Sequence, residues 1–397
     1  MKPILISFAC AALAMAQPQP RYTVTDLDPE GVFSQATFVN SNGLATGIAV
    51  APDGAQHAML LYKGGRLDIS KPGLGGPNSG AFGVNAWGQV LLQTETSAKD
   101  PNNENFCGYG TGLKCVPAVW QYGIITELPT LGGNNGTVGG INNRGEAVGV
   151  AETATRDPLC PPGIAPNGTG PQVLDFEAVI WGPRRGEVRR LNPLAGDSVG
   201  IAMSINDNGQ VVGISGSCGN TQLPPFVAGP HAVLWDKDGS VHNLGNLGGT
   251  SNPALAGIGN IAFAINDDGR VSGASALKGN AAVNAFVWTK ASGMKNIGTL
   301  PGDTNSAGLS INNKGDVVGG SIAGDVATGS PRAFLWQNNK MHDLNDLVGG
   351  DSPLYLLMAF SINDDGQIAG FGVQKSEPHG VHAFLAAPKT RDDRNRN

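Results

Sequence analysis

The chain has 397 residues and a net charge of −6, and only 15% of its residues are charged, against about 25% in an average soluble domain. An acidic chain without a basic run is excluded as a nucleic-acid binder that relies on phosphate contacts. Glycine is frequent, at 59 residues, and amphipathic helical windows are hard to find beyond the N-terminal segment. The composition therefore favours an all-β protein rich in turns.

The first element in chain order is an apolar N-terminal segment. Lys2 precedes a short apolar run that ends in Ala14-Met15-Ala16, a pattern typical of a secretory signal cleaved after Ala16. The run is too short to span a bilayer. Lipid attachment at Cys10 is an alternative, although Ser7-Phe8-Ala9 is a poor lead-in for it. We expect residues 1–16 to be a signal peptide and the mature chain to be secreted, either extracellular or periplasmic, without a transmembrane segment.

Seven copies of one phrase follow along the chain. The copy at 265–273 reads Ile-Asn-Asp-Asp-Gly-Arg-Val-Ser-Gly. One such unit is too small to bury its own apolar face, so it must stack on its neighbours. The anchor asparagines of the seven copies lie 45 to 64 residues apart, at Asn40, Asn85, Asn142, Asn206, Asn266, Asn312 and Asn363.

Each repeat contains four short strands. In the unit from Ile201 to Leu244, two apolar strands flank the turn 206–209, in which asparagine and aspartate tolerate left-handed dihedrals and glycine takes a positive φ without penalty. After a variable loop, His231–Trp235 is the third strand, and a second turn leads to the fourth. The pattern predicts a four-stranded antiparallel meander in every repeat.

This period, with four strands in each unit, predicts a seven-bladed β-propeller. A parallel β-helix is the alternative, but its rungs are shorter than this period and it lacks antiparallel hairpins. The segment 22–27 resembles a fourth strand, and the last repeat stops at a third strand, 382–385. We therefore expect the N-terminal strand to complete the last blade, within one domain over 17–387 that is followed by a polar, disordered tail, 388–397.

Alternating strand directions sort the connections onto two faces of the ring. The turn face carries the first-to-second and third-to-fourth turns of each blade. The loop face carries the second-to-third loops and the blade-to-blade connections. The longest loops are expected at roughly 93–117 and 152–176, in the second and third repeats. Variable loops on a rigid scaffold are where function usually lies, so we expect the functional site on the loop face.

Four cysteines remain after the signal segment, at Cys107, Cys115, Cys160 and Cys218. An even number in an exported protein predicts two disulfides, with three possible connectivities. Cys107 and Cys115 share one loop, and Cys160 and Cys218 fall in corresponding loops of adjacent repeats. A zinc site is the alternative, but it needs closer cysteine pairs or histidines at metal spacing. We predict disulfides and no metal site.

The blade-to-blade connections carry acid and hydroxyl side chains that could surround the channel mouth and bind a sugar, a peptide or a cation. Paired carboxylates there could also perform glycoside hydrolysis, which needs two acids about 5–10 Å apart. Capping of turns by the same side chains is the alternative interpretation. The predicted binding residues are Asp197, Ser198, Thr250, Asp303, Thr304, Asp351 and Ser352. The candidates for catalysis are Asp197, Asp303, Asp351 and His379, the histidine at the loop face that merits a test.

Two other repeated features have structural interpretations. The Asn-Asp-Asp-Gly turns resemble fragments of calcium loops, but calcium needs six to eight oxygen ligands, and Arg144 and Lys314 place cations inside two of the turns. A tryptophan near the end of the third strand in five repeats, as at Trp181 and Trp235, is expected to pack between blades. Neither feature indicates a cofactor.

The alternation of INDDGQIAG-like and HAFLW-like phrases with Leu247-Gly248-Gly249-Thr250 and Leu300-Pro301-Gly302-Asp303 between them resembles the HAF repeat family of secreted bacterial proteins. The resemblance covers roughly 22–385. It implies an extracellular repeat protein and no general activity. The name-giving triplet is His-Ala-Phe, as at 382–384. It varies within this chain, for example to Glu177-Ala178-Val179 and Asn284-Ala285-Phe286, so its histidine is dispensable to the fold.

These observations favour a secreted, monomeric propeller that acts as a non-enzymatic binding or scaffold module. Its partner would be an extracellular glycan, an envelope component or a protein. The alternative is a secreted hydrolase or lyase with carboxylates at the channel mouth. Repetition of one residue type around a ring suits binding or capping, whereas catalysis usually needs unlike groups.

Overall fold

The computed structural model describes residues 22–62, 65–71, 73–160, 172–221, 229–250, 259–324, 329–350, 352–376 and 380–389. Over these residues the chain forms seven four-stranded antiparallel sheets. The first strands of neighbouring sheets contact one another around a central channel, so the sheets are the blades of a seven-bladed β-propeller. The predicted fold class is confirmed. The signal segment lies outside the described residues, as does the tail beyond Lys389.

The strands follow the repeats in chain order after the N-terminal strand β1 (Tyr22–Asp26). Blades 1 and 2 comprise β2 (Ser34–Val39), β3 (Ala45–Val50), β4 (Gln56–Tyr62), β5 (Gly65–Asp68), β6 (Gly75–Val84), β7 (Val90–Lys99), β8 (Leu113–Gln121) and β9 (Ile124–Glu127). Blades 3 and 4 comprise β10 (Gly132–Ile141), β11 (Ala147–Arg156), β12 (Leu174–Trp181), β13 (Val188–Arg190), β14 (Val199–Ile205), β15 (Val211–Gly216), β16 (His231–Trp235) and β17 (Val241–Asn243).

The remaining three blades have the same plan. Blades 5 and 6 comprise β18 (Ile261–Ile265), β19 (Val271–Ala276), β20 (Val283–Thr289), β21 (Gly293–Gly298), β22 (Asn305–Ile311), β23 (Val317–Ile322), β24 (Arg332–Gln337) and β25 (Lys340–Asp343). Blade 7 comprises β26 (Leu354–Ile362), β27 (Ile368–Gln374), β28 (Val381–Pro388) and β1. Short helical segments are α1 (Leu344–Val348) and the 3-10 turns Cys218–Asn220 and Lys278–Asn280.

The ring closes where the two ends of the described chain meet. β1 pairs antiparallel with β28, with Tyr22 opposite Pro388 and Asp26 opposite Phe384. Between the first and last blades, the backbone N–H of Ala383 donates to Ser34 Oγ at 3.0 Å. The predicted closure is confirmed, and it leaves no unpaired first or last blade in the ring.

Six of the seven motif copies end in a glycine, whose position is explained by a bulge; the copy in blade 2 ends in Leu92. The pairing of β14 with β15 shifts register between Ala202 and Ser204, which bends the inner strand toward its partner. A Cβ added to Gly213 would lie 1.9 Å from the backbone oxygen of Ile201. Since that oxygen is part of the backbone and cannot move aside, the close approach requires glycine.

The long loops of blades 2 and 3 are shorter than the sequence predicts. β7 continues to Lys99 and β8 begins at Leu113, while β11 continues to Arg156 and β12 begins at Leu174. These strand ends are polar and exposed, yet they keep the backbone pairing of the buried part of the sheet. The apolar pattern in the sequence ends where the strands leave the core, so it underestimates the length of such strands.

The apolar core lies between successive blades. Trp181 and Trp235 are almost fully buried, and their indole N–H groups donate to the backbone oxygens of Pro129 and Asn192. The predicted packing role of these two tryptophans is therefore confirmed. Within the described ranges, no helix has the length and apolar character needed to cross a membrane.

Candidate functional site

The anchor asparagines form a closed ring of hydrogen bonds at the turn face. The side-chain Nδ2 of each one donates to the backbone oxygen of the corresponding asparagine in the next blade. The bonds are 2.9–3.1 Å long and run from Asn40 to Asn85, Asn142, Asn206, Asn266, Asn312, Asn363 and back to Asn40. The anchor asparagine of the sequence motif thus links each blade to the next by a side-chain hydrogen bond.

A second layer of polar side chains covers this ring at the channel mouth. Oδ1 of Asp267 accepts from the backbone N–H of Asp207 at 2.9 Å, and Oδ1 of Asp364 accepts from the N–H of Asn313 at 2.8 Å. The cavity inside the two layers has a volume of about 180 Å³. That is below the roughly 300–1,000 Å³ of usual ligand pockets, and its carboxylates already cap backbone groups. The turn-face mouth is therefore better explained as a structural ring.

On the loop face, Asp197 is held within its own blade. Its Oδ2 lies 2.9 Å from Nδ1 of His231 and accepts from Oγ of Ser215 at 2.7 Å. His231 opens the third strand of this blade, at the place of the histidine in the HAF triplet. The acid and the histidine form one blade-stabilising group.

Asp303 is engaged by an arginine of its own blade. Oδ2 of Asp303 lies 2.9 Å from Nη2 of Arg332, and Oδ2 of Asp343 lies 3.0 Å from Nη1 of the same arginine. Burial alone would lower the pKa of Arg332, but the two carboxylates raise it above its usual value. The arginine is therefore a permanent partner for both acids.

The predicted hydroxyl residues make local contacts. Ser198 and Thr304 donate their backbone N–H to Gly216 and Ile322, at the ends of their own blades. Thr250 N–H donates to Oδ1 of Asn280 at 2.8 Å, and Ser352 Oγ donates to the backbone oxygen of Leu354 at 2.7 Å. Asp351 and His379 lie outside the described residues. These contacts are of the turn-capping kind, and a binding role for the seven residues stays a prediction.

In five blades, the third-strand residue at the histidine position of the His-Ala-Phe phrase pairs with a side chain of the fourth strand. The chemistry of the pair changes from blade to blade, and in blade 3 the charges are reversed relative to blade 6. The pairs are His57–Asp68, Glu177–Arg190, Asn284–Asn296, Arg332–Asp343 and His382–Asp26. The histidine of the triplet is therefore one of several residues that can fill this position.

Two disulfides lie under the loop face of blades 2 to 4. Cys107, in the loop of blade 2, is bonded to Cys115 in β8. Cys160 of blade 3 is bonded to Cys218 of blade 4, so this bridge joins loops of adjacent blades. Both predicted disulfides are confirmed, and the open question of connectivity is answered.

A network of buried carboxylates links the loops of blades 2 and 3. Glu104 and Glu152 are fully buried and Asp100 is 5% exposed. Nε2 of Gln172 donates to Oε1 of Glu104 at 3.3 Å and to Oε1 of Glu152 at 3.1 Å, so it bridges the two acids. Nδ2 of Asn135 likewise joins Asp100 and Glu152. Within the described part of the chain, no lysine or arginine forms an ion pair with these three carboxylates.

Backbone amides complete this network across the blade boundary. The N–H groups of Val173 and Leu174 in blade 3 donate to Oε1 of Glu104 in blade 2, at 2.6 and 2.9 Å. The N–H groups of Asn134 and Asn135 donate to Oε2 of Glu152. Every contact is from a neutral N–H, so the acids are hydrogen-bonded without being neutralised.

The absence of a neutralising partner raises the affinity of both glutamates for a proton. Burial, and then the charge of Glu104, raise the pKa of Glu152 to about 8. Burial also raises the pKa of Glu104, with a smaller contribution from Asp100, although the amides of Leu174 and Val173 oppose this. Because the charge of Glu104 contributes to the raised pKa of Glu152, the two glutamates titrate as a pair.

Sequence reasoning missed this network. Glu152 directly follows the apolar run 147–151 of β11, and an acid at such a position is a signal of a buried polar group. Glu104 lies in a loop without a repeat counterpart, so no pattern marked it. The two acids meet because the loop of blade 2 folds over the start of the third strand of blade 3.

We use the name loop platform for the part of the loop face formed by residues 100–112, 157–160, 172–173 and 217–221. Glu104 connects blade 2 to blade 3 in it, and the disulfide Cys160–Cys218 connects blade 3 to blade 4. The platform is therefore one continuous surface held by covalent bonds and buried hydrogen bonds.

Residues 195–381 match the family described as "Protein of unknown function (DUF3466)". Among curated protein sequences, none is similar enough to this chain to count as a match. The family match covers blades 4 to 6 and strands β26 and β27 of blade 7, while the loops of blades 2 and 3 lie outside it.

Solved structures of similar shape include two lyases. A streptogramin B lyase has a TM-score of 0.46 and 8% identity, over 93% of this chain and 98% of that one. The virginiamycin B lyase of Staphylococcus aureus has a TM-score of 0.43 and 10% identity, over 93% of this chain and 99% of that one.

A third similar structure belongs to a longer chain. It is an extracellular domain described as part of a one-component system from B. thetaiotaomicron, with a TM-score of 0.45 and 9% identity. The match covers 91% of this chain and 39% of that one, so the chain spans about two fifths of that domain's length.

Proposed function

We propose that this propeller is an exported binding or scaffold module, and that the loop platform of blades 2 to 4 is its ligand-binding surface. Its ligand would be an extracellular glycan, an envelope component or a protein. The secretory signal pattern and the resemblance to HAF repeat proteins support export. The observation that carries the proposal is the fixation of three neighbouring loops by Glu104 and by the disulfide Cys160–Cys218.

A fixed loop surface favours binding for a thermodynamic reason. Loops that are ordered before the ligand arrives lose less conformational entropy when it binds. Burying three carboxylates without a cation costs free energy. A loop that only connects two strands does not need such a network, so we infer that the ordered loop has a function. Blades 5 and 6 have neither a disulfide nor such a network in their described residues, and yet they form regular blades. The extra fixation therefore serves the platform.

The hydrolase or lyase alternative receives less support from the contacts. Asp197 and Asp303 are each engaged by a side chain of their own blade, His231 for the first and Arg332 for the second. Glu104 and Glu152 are close together, but both are fully buried, so a substrate could reach them only if the loops opened. A general acid and base must reach the substrate within hydrogen-bond distance.

The test is a binding screen of the oxidised full chain against glycan arrays, envelope fractions and extracellular proteins. The proposal predicts a ligand whose affinity falls by roughly tenfold or more in Cys160→Ser/Cys218→Ser, because the freed loops must be reordered on binding. The double variant should still unfold cooperatively, since the blades themselves remain paired. Lys290→Glu, an exposed change in a turn of blade 5, is the matched control and should leave affinity unchanged.

A parallel assay with glycoside substrates separates the enzymatic alternative. Asp303→Asn and Asp343→Asn each remove one carboxylate from Arg332, so their effects on stability should be similar. Turnover that is lost in Asp303→Asn and kept in Asp343→Asn would overturn the binding-module proposal. The same holds if the serine variant binds every ligand as tightly as the natural chain.

A further inference from the structure

A groove between blades 2 and 3 opens on the turn face, opposite the loop platform. Its volume is about 440 Å³, which lies within the roughly 300–1,000 Å³ of usual ligand sites and well above the channel mouth. Leu128, Val119 and Trp181 form its apolar wall, and the hairpins 121–124 and 182–186 form its rim. We call it the blade 2–3 groove.

The rim carries large apolar side chains that solvent contacts freely. Tyr122 is 84% exposed and Ile124 is 68% exposed, and both line the groove. Trp87, in the first hairpin of blade 2, is 65% exposed, and its backbone oxygen accepts a hydrogen bond from Gln121 of the rim. Exposed apolar side chains that gather at one cavity are typical of interaction surfaces.

Tyr122 occupies its position against the local preference of the turn. Its φ is 49° and that of Gly123 is 84°, so the two residues form a tight hairpin turn in the left-handed region. Asparagine is favoured at the first of these positions, and blade 6 has Asn338 with φ 53° there. The left-handed backbone of Tyr122 costs conformational free energy, and its exposed side chain gains little packing within the chain in return. Such a residue is expected at a functional site.

The charge of the rim differs from that of the rest of the molecule. The chain has a net charge of −6, yet the rim hairpin of blade 3 carries Arg184 and Arg185 side by side, both exposed. The groove lining has one carboxylate, Glu127, so the two arginines outnumber it. Arg66, Arg144, Arg190 and Arg332 all form ion pairs within the chain. In the described residues, neither Arg184 nor Arg185 has a carboxylate partner. Two free guanidinium groups beside an apolar wall complement a ligand with carboxylates next to an apolar side chain.

We propose that the blade 2–3 groove binds an acidic peptide segment of a partner protein, in which a large apolar residue is flanked by aspartate or glutamate. The apolar side chain enters the groove over Leu128 and Trp181, Tyr122 and Ile124 cover it, and the two arginines bind the flanking carboxylates. The groove and the loop platform lie on opposite faces, so the propeller could hold a ligand and a partner at once.

A library of short random peptides displayed on phage and selected on the folded full chain tests this proposal. Selected peptides should carry acids next to Leu, Ile, Phe or Trp. Their affinity should fall by roughly tenfold or more in Arg184→Glu/Arg185→Glu, and at high salt, because the charged contacts are exposed. The matched control is Lys290→Glu/Lys314→Glu, which removes two exposed cations from the same face in blades 5 and 6 and should leave affinity unchanged.

Tyr122→Asn separates binding from folding. The variant supplies the residue that the turn prefers, so its melting temperature should be equal to or above that of the natural chain. Peptide affinity should nevertheless fall several-fold. Selected peptides without acids, binding that survives the arginine reversal, or equal losses in the lysine control would each overturn the proposal. The proposal would also fail if the groove binds a second copy of the chain, which would appear as a dimer that dissociates in the Arg184→Glu/Arg185→Glu variant. Loss of glycan or envelope binding at the loop platform would leave this result unaffected, so the two proposals fail separately.

Discussion

The first hairpins and the third-strand pairs occupy equivalent positions in successive blades, but they differ in how far their residues vary. Asparagine fills the anchor position of the first hairpin in all seven blades. The pair at the loop face has His with Asp, Glu with Arg, Asn with Asn, or Arg with Asp. The anchor position therefore accepts one residue type. The loop-face position accepts several, provided that the two side chains of the pair attract each other.

The anchor is restricted because its partners are backbone groups. In blade 4, Nδ2 of Asn206 donates to the backbone oxygen of Asn266 and to Gln210 Oε1. Its Oδ1 accepts from the N–H groups of Asn208 and Gln210. Backbone donors and acceptors cannot be exchanged between blades, so the side chain must donate and accept at fixed places. A pair of side chains, in contrast, can reverse its charges and keep the same attraction.

The largest effect is expected when the anchor loses its donor. Asn206→Asp keeps the oxygen that accepts from the turn but places a carboxylate oxygen against the carbonyl of Asn266. We expect a loss of about 2–4 kcal/mol in the free energy of unfolding, because a buried charge gains no partner and a buried carbonyl loses one. Urea unfolding measures it.

Asn208→Asp is the matched control for this variant. It makes the same chemical change two positions along the same turn. Nδ2 of Asn208 also donates to a backbone oxygen of the next blade, that of Asp267, but this bond is exposed to water, so its loss should cost less than about 1 kcal/mol. Equal losses in the two variants would contradict the view that the ring of asparagines joins the blades.

The same contrast explains what could be predicted from the sequence. Asn206 and its six counterparts stand in a fixed phrase, so the blade number, the strand order and the closing of blade 7 by β1 followed from pattern alone. Glu152 lies in β11 and Glu104 in the loop of blade 2, so their carboxylates form a pair only after that loop has folded onto blade 3. The segment that carries Glu104 has no repeat counterpart, and the blade 2–3 groove exists only once Ile124 and Arg184 are brought together. Such features depend on tertiary placement rather than on periodicity.

The next effect concerns the reversed pair of blade 3. Burial raises the pKa of Glu177 to about 7, and the charge of Arg190 acts in the opposite direction. Arg190→Ala should therefore raise the pKa of Glu177 further. Because the acid can bind a proton, the variant should lose little stability near about pH 5 and about 1–2 kcal/mol near about pH 8. Chemical unfolding at the two pH values measures the difference.

Copying the pair of blade 6 sharpens this test. Glu177→Arg/Arg190→Asp restores two opposite charges in the order of Arg332 and Asp343. It should recover most of the stability that Arg190→Ala loses at the higher pH. If the double variant is the least stable of the three, the loop-face position depends on residue identity, and the contrast with the anchor ring fails.

The last effect, no larger than that of Arg190→Ala, is expected from the buried acids of the loop platform. The folded-state pKa of Glu152 is about 8, above the ordinary value of 4.5, so the folded chain holds a proton that the unfolded chain releases. The resulting stability is fully present below about pH 4.5 and is lost as pH rises through about 8. Glu152→Gln carries no titrating group at this position and should flatten this decline by roughly 1–2 kcal/mol between about pH 5 and 9. The difference is smaller than for an isolated acid because Glu104 and Glu152 titrate as a pair.

Glu187→Gln, an exposed change in blade 3, is the control and should follow the natural chain at every pH. Raised pKa values at Glu177 and Asp175 tilt all three curves in the same direction, so the comparison isolates the pair. Identical slopes in all three chains would mean that Glu104 and Glu152 are both ionised in the folded protein.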